Sequence, residues 1–110
     1  MTTTEARLLY CPVPSREEGL RLARLLVEAE LVACANLLPG VTSVYRWEGR
    51  TVEDGECLLL AKTTAACEAD AIRCLHEAHS YSQPVVLCLA VNAQSEGVLT
   101  WLEGATRRAR

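Results

Sequence analysis

The sequence predicts an α+β domain of the ferredoxin-like kind: β-α-β-β-α-β plus an extra C-terminal helix, its antiparallel sheet covered by helices on one face. Three observations predict it. Apolar residues recur at helical spacing in two separated segments, short apolar runs flank both, and a long paired run with a polar turn lies between them. The 110 residues suit one domain over 1–110, with a core from about 7 to 103 and a polar tail from 104 to 110.

Arg7 to Cys11 is a short apolar strand that stops at Pro12 and Pro14, and Ser15 with Glu18 has the spacing of a capping box. Leu22, Leu25, Leu26 and Ala29 then form an apolar stripe, with Arg21, Arg24 and Glu28 on other faces. Leu31 to Leu38, interrupted by Pro39 and Gly40, resumes as Val41 to Glu48, one long bent strand. Gly49 to Gly55 reads as a polar turn, and Glu56 to Thr63 returns as the second arm of a hairpin. Thr64 can cap a second helix with Cys67, Ala71, Cys74, Leu75 and Ala78 on one face. Val85 to Val91 is a buried strand, and Ser95 opens a last helix through Val98, Trp101, Leu102 and Ala105. Right-handed crossovers put both long helices on one side of the sheet. The hairpin is too long for four short strands to pair throughout, so Tyr45 and Trp47 are exposed unless a second subunit covers them.

Half the residues are hydrophobic and no stretch is compositionally simple, which excludes a disordered chain. Eleven basic and fourteen acidic residues are interleaved, which excludes a nucleic-acid footprint; Arg107, Arg108 and Arg110 read as a solvated tail. The run from Val85 to Val91 is too short to cross a membrane, and Met1 to Arg7 lacks the apolar centre of a secretory leader. A cytoplasmic protein is expected. The six cysteines lie mostly among apolar neighbours, and none has the spacing of a zinc knuckle or redox pair, so they read as reduced core residues.

A family resemblance rests on Ala33, Cys34, Ala35 and Asn36, then Leu38, Pro39 and Gly40, then Ser43, Tyr45, Trp47, Glu48 and Gly49. Glu56, Lys62 and Thr63, then His79, Tyr81 and Pro84, and finally Trp101 and Leu102 continue it in order. Over roughly Leu8 to Leu102 the chain resembles the CutA family of divalent-cation tolerance proteins. The resemblance implies a homotrimer with an architecture like that of the signal-transducing PII proteins, copper binding, and no established reaction. Three positions depart from the family pattern: Ala78 in place of a second histidine, Ser80 in place of a proline, and Val85 in place of an acid.

The predicted topology brings Cys11 and His79 to one edge of the sheet, and both match the family's copper ligands. A thiolate and an imidazole suit Cu(I). The plainer reading has Cys11 filling an apolar slot and His79 ending a helix. His76 reads as solvated, Cys34 as packing, and Asn36 as holding the bend before Pro39. Lys62, the only lysine, ends an apolar run and reads either as an anion or intersubunit contact, with Glu56 or Glu48 of another subunit, or as a snorkelling strand-end residue. Tyr45 and Trp47 share one side of their strand and, with Tyr81, can line an intersubunit cleft; Trp47, Glu56, Lys62 and Tyr81 are its expected members. The cleft suits a small-molecule or metal ligand. Beyond copper no cofactor is expected. No nucleophile-and-base pair, paired carboxylates or phosphate-cradling loop has recognisable spacing, so a regulatory or binding role is expected over an enzyme. An interaction scaffold, or an enzyme using the Cys11 thiol with His79 as base, are the alternatives.

Overall fold

A computed structural model describes residues 5–107; the expectations for 1–4, Arg108 and Arg110 lie outside the described residues. The order is β1 (Ala6–Val13), α1 (Arg16–Glu28), β2 (Cys34–Trp47), β3 (Arg50–Thr64), α2 (Glu68–Ala78), β4 (Leu87–Ala90) and α3 (Val98–Ala105). The strands form one antiparallel sheet in the order β2-β3-β1-β4, the arrangement predicted. Alternation along β1 buries Leu9, Cys11 and Val13 beneath the helices and leaves Leu8, Tyr10 and Pro12 half-buried on the opposite, outer face. The strand continues through Pro12, where it was expected to stop. This is tolerated because β4 pairs with β1 only as far as Tyr10, leaving an open edge beyond it.

Ser15 caps α1, its hydroxyl accepting from the Glu18 N–H at 3.1 Å. Only that half of the box forms, because the Glu18 carboxylate accepts instead from the Ser80 N–H at 2.9 Å. The buried stripe is Leu22, Ala23 and Leu26, with Leu25 exposed. After α1 the chain turns at Glu30, in the left-handed region at φ 59°. Leu31 and Val32, expected in the second strand, precede β2 and fill the core from a loop.

β2 and β3 pair from Cys34↔Lys62 to Trp47↔Arg50 with one irregularity, between Leu38↔Leu58 and Val41↔Glu56. Across it β2 has one more residue than β3, a bulge made at Pro39 and Gly40, with Gly40 at φ 78°. The extra residue reverses the parity of β2. Tyr45 and Trp47 therefore share the outer face with Leu38, Leu58 and Leu60. The expected turn from Gly49 to Gly55 is much tighter: Glu48 and Gly49, at φ 49° and 79°, make a two-residue reversal, and Arg50 onward is strand. Because β1 covers β3 only over Cys57–Thr64, residues 41–56 form a two-stranded arm, and the molecule measures 47 × 26 × 23 Å.

Thr64 makes no side-chain cap; a turn of 3-10 helix, Ala65–Cys67, leads into α2, whose Ala71 and Leu75 are buried. Arg21 of α1 donates to the Ala78 carbonyl at 2.9 Å, satisfying a backbone acceptor at the end of α2. The run expected as a buried strand is shorter and half open: Leu87 and Leu89 are 53% and 48% exposed. Their helix-side neighbours Val86 and Cys88 pack on the core. The chain end expected as a polar tail from 104 is packed as far as Arg107. Leu102 and Thr106 are buried, and Arg107 N–H donates to the Glu30 carbonyl at 2.8 Å.

Candidate functional site

The short β4 leaves the Pro12 carbonyl without a ladder partner, and this places the first group of predicted residues. His79, the residue that ends α2, has a side chain with no exposed surface. Its Nε2 lies 2.9 Å from the Pro12 oxygen, and its Nδ1 accepts from the Tyr81 N–H at 3.1 Å. Accepting at Nδ1 fixes the proton on Nε2, which donates to Pro12. The Cys11 thiol faces the same oxygen at 3.7 Å. Burial first, and then the charges of Glu18 and Glu56, push the Cys11 thiol up to about 12. Burial also pushes the Glu18 carboxyl up, but hydrogen bonding from Ser80, with the nearby Arg21 charge, outweighs it and leaves this acid below its usual range.

Cys11 and His79 are thus both brought to the Pro12 carbonyl, and as folded each is engaged there. The thiol holds its proton and both imidazole nitrogens are engaged. Among the described residues no three His, Cys, Asp or Glu side chains converge as a metal site. The same protonated thiol is a poor nucleophile. Cys11 packs as a small core residue and His79 satisfies an orphan carbonyl.

The second group lines a cleft of about 480 Å³ along the arm, between the outer face of β2 and β3 and the loop 81–85. Trp47, Tyr45 and Tyr81 supply aromatic walls, and Asp54 and Glu56 supply carboxylates. Each phenol donates to one acid: Tyr45 to Asp54, and Tyr81 to Glu56 at 2.7 Å. The Tyr81 phenol is held well above its usual range by burial and by the Glu56 hydrogen bond, and that of Tyr45 is raised by its bond to Asp54. The Tyr81 ring also lies against His79, with centroids 4.7 Å apart, which joins the cleft to the Pro12 junction.

Trp47, Glu56 and Tyr81 are therefore cleft residues, whereas Lys62 is not one within a chain. It sits six residues along β3 from Glu56, opposite Cys34, with its ammonium 4.0 Å from the Cys34 sulfur. His76 is exposed, as expected. Asp54 was assigned to the turn; recognising Glu48 and Gly49 as a two-residue reversal would have put it on the strand face beside Tyr45. Glu18, apparent in sequence only as a capping residue, had no signal for its contact with Ser80.

Fold and site together define a ferredoxin-like domain with a projecting hairpin and an aromatic, carboxylate-bearing cleft along that hairpin. The chain belongs to the CutA1 divalent ion tolerance protein family, whose model matches residues 7–105. The divalent-cation tolerance protein CutA of Thermus thermophilus is 40% identical over 94 residues, covering 86% of this chain and 91% of that protein. The chloroplastic protein CutA of Arabidopsis thaliana is 37% identical over 105 residues, 96% of this chain. The chain spans only 58% of that protein and 61% of the chloroplastic CutA 1 of Oryza sativa. Among solved structures, CutA1 from Oryza sativa superposes with a TM-score of 0.90 at 36% identity, covering 96% of this chain and 98% of that one. The relatives from Thermus thermophilus and Citrobacter koseri are named divalent-cation tolerance proteins. Among the described residues no helix is long and apolar enough to cross a membrane.

Proposed function

We propose that this chain is a homotrimeric regulatory module in the response to divalent metal ions, acting in the cytoplasm by binding and assembly and not by catalysis. The observation that carries the reading is the open outer face of the sheet. Leu38, Leu87 and Leu89 are exposed there, Leu58 and Leu60 lie beside them, and the arm continues the same face with Tyr45 and Trp47. A contiguous apolar face of this kind marks an interaction surface, unlike apolar residues scattered singly. Both sheet edges, β2 and β4, are also open, and the edge of β2 runs for 14 residues. An arm leaving one edge meets a different surface on the next copy, the geometry that closes into rings. That the ring has three members is what the resemblance implies.

Copper capture at Cys11 and His79 is not part of this mechanism, since it requires the thiol to lose its proton and the imidazole to give up Pro12 or Tyr81. Growth on metal salts tests the role. Cells lacking their own tolerance protein should withstand more divalent metal when they express the chain than when they express a Leu87→Asp, Leu89→Asp variant. Equal growth of the two contradicts the reading.

A further inference from the structure

We infer that the cleft along the arm is filled, in the assembly, by a second copy of the chain: the Lys62 ammonium of one copy seats against the aromatic walls and pairs with the Asp54 and Glu56 carboxylates of the next. This rests on the outer sheet face being the assembly surface and adds which charged groups meet there.

Strand parity puts Lys62 on that face. It stands across from Leu8 in β1 and Cys34 in β2, and its neighbours Ala61 and Thr63 are buried under the helices. Leu60 and Leu58 follow on the same side of β3, and then Glu56 and Asp54 on the arm. One face of one strand thus carries a cation at one end, two acids at the other and leucines between.

Within a chain these groups cannot meet. The six residues from Lys62 to Glu56, at about 3.3 Å each, span about 20 Å, beyond the reach of a lysine side chain. The Lys62 ammonium has the Cys34 sulfur at 4.0 Å, and among the described residues none of the three charges forms an ion pair. Asp54 and Glu56 each accept a phenol proton, which fills one of several acceptor positions on a carboxylate.

Any layer that covers the outer face takes Lys62 out of water, and an unpaired buried ammonium is costly, as is an unpaired buried acid. The covering layer has to bring an acid to Lys62 and a cation to the two carboxylates. A second copy brings both. Each chain supplies one seat and one occupant, so every closed ring of copies satisfies all of them. The cleft, about 480 Å³, suits this side chain: the rings take its aliphatic stem and attract its ammonium, and the carboxylates accept from it. The arginines of the arm compete less well. Arg46 borders the cleft but starts from the face opposite Tyr45 and Trp47, and Arg50, across from Trp47, lies at the hairpin tip and is not among the lining residues.

Lys62 is the only lysine in the chain, which makes the contact traceable. A carbodiimide joins an amine to a carboxylate that touches it. Applied to the assembled protein, it should link two chains through Lys62 and Glu56 or Asp54, as mapped by mass spectrometry of the digest, and Lys62→Arg should lose that link while still assembling. Charge reversal gives a second readout that needs no reagent to enter the contact. Lys62→Glu should weaken assembly on dilution about tenfold or more, and adding Glu56→Lys should recover most of the loss. If the parent assembles by light scattering but links Lys62 only to other acids, or if the double variant assembles no better than Lys62→Glu, the seat is overturned and the assembly face stands. A monomeric parent overturns both.

Discussion

One carbonyl oxygen, that of Pro12, is approached by both Cys11 and His79, and its surroundings decide what either can do. A metal has to compete with two hydrogen bonds at His79 and with a buried, protonated thiol at Cys11. Cu(I) titrated against a competing chelator should therefore give the same affinity for the parent, Cys11→Ser and His79→Ala proteins. Loss of binding in either variant contradicts this account of the junction. The thiols also set an alkaline limit on stability. Burial pushes Cys11 up to about 12 and, with the Glu68 hydrogen bond, pushes Cys88 up to about 12, against an ordinary value of 9.0 in the unfolded chain. The folded state then keeps protons that the unfolded state releases, so this stabilisation is complete below pH 9 and is lost as pH rises towards about 12. The melting temperature should fall across that window, and less steeply in Cys11→Ala; a flat profile contradicts the shift. The nearness of Cys11 and His79 was legible because it follows from strand order alone. The engagement of both imidazole nitrogens was not, because it depends on where a short β4 leaves β1 uncovered.

The bulge in β2 is the element on which the cleft depends. Without its extra residue the arm keeps its strands but presents Tyr45 and Trp47 on the helix side of the sheet. Gly40 stands there at φ 78° with no atom within 4 Å of an added Cβ, so Gly40→Ala is penalised by backbone conformation and not by a clash. It should lower stability by about 1 kcal/mol in denaturant unfolding. No loss would show that the bulge does not need the left-handed residue. The final helix supplies a second case. Leu102 is buried, and Thr106 and Arg107 tie the chain to α3 and to the end of α1. Leu102→Ala should cost about 2–5 kcal/mol, as a core truncation does, whereas a loose terminal helix would lose almost nothing. Helix existence and strand order were legible from apolar spacing, and Pro39 with Gly40 marked the bend. The extent of β3 was not: Arg50, Glu53 and Asp54 look like turn residues because they are polar, yet a solvated arm has no core to demand alternation. Val85 to Val91 read as buried because it is apolar throughout, and nothing in a single chain's periodicity distinguishes burial under its own helices from an apolar face left open.

At the scale of the whole molecule, that open face is the feature that a single domain of this size leaves unexplained. Two helices cover one side of the sheet, and the other side carries Leu8, Tyr10, Leu58, Leu60, Leu87 and Leu89 with no layer of its own. On the proposed reading, self-association supplies the missing layer and couples folding to assembly, so apparent stability should rise with protein concentration. The projecting arm was legible in the length of the hairpin, whereas the open sheet face beside it was not. Light scattering on the purified chain at micromolar concentration tests this most directly. The parent should have the mass of three chains, and Leu87→Asp with Leu89→Asp should have the mass of one while keeping its secondary structure. A monomeric parent, or a variant that assembles as the parent does, would contradict the assignment of the outer sheet face as the assembly surface.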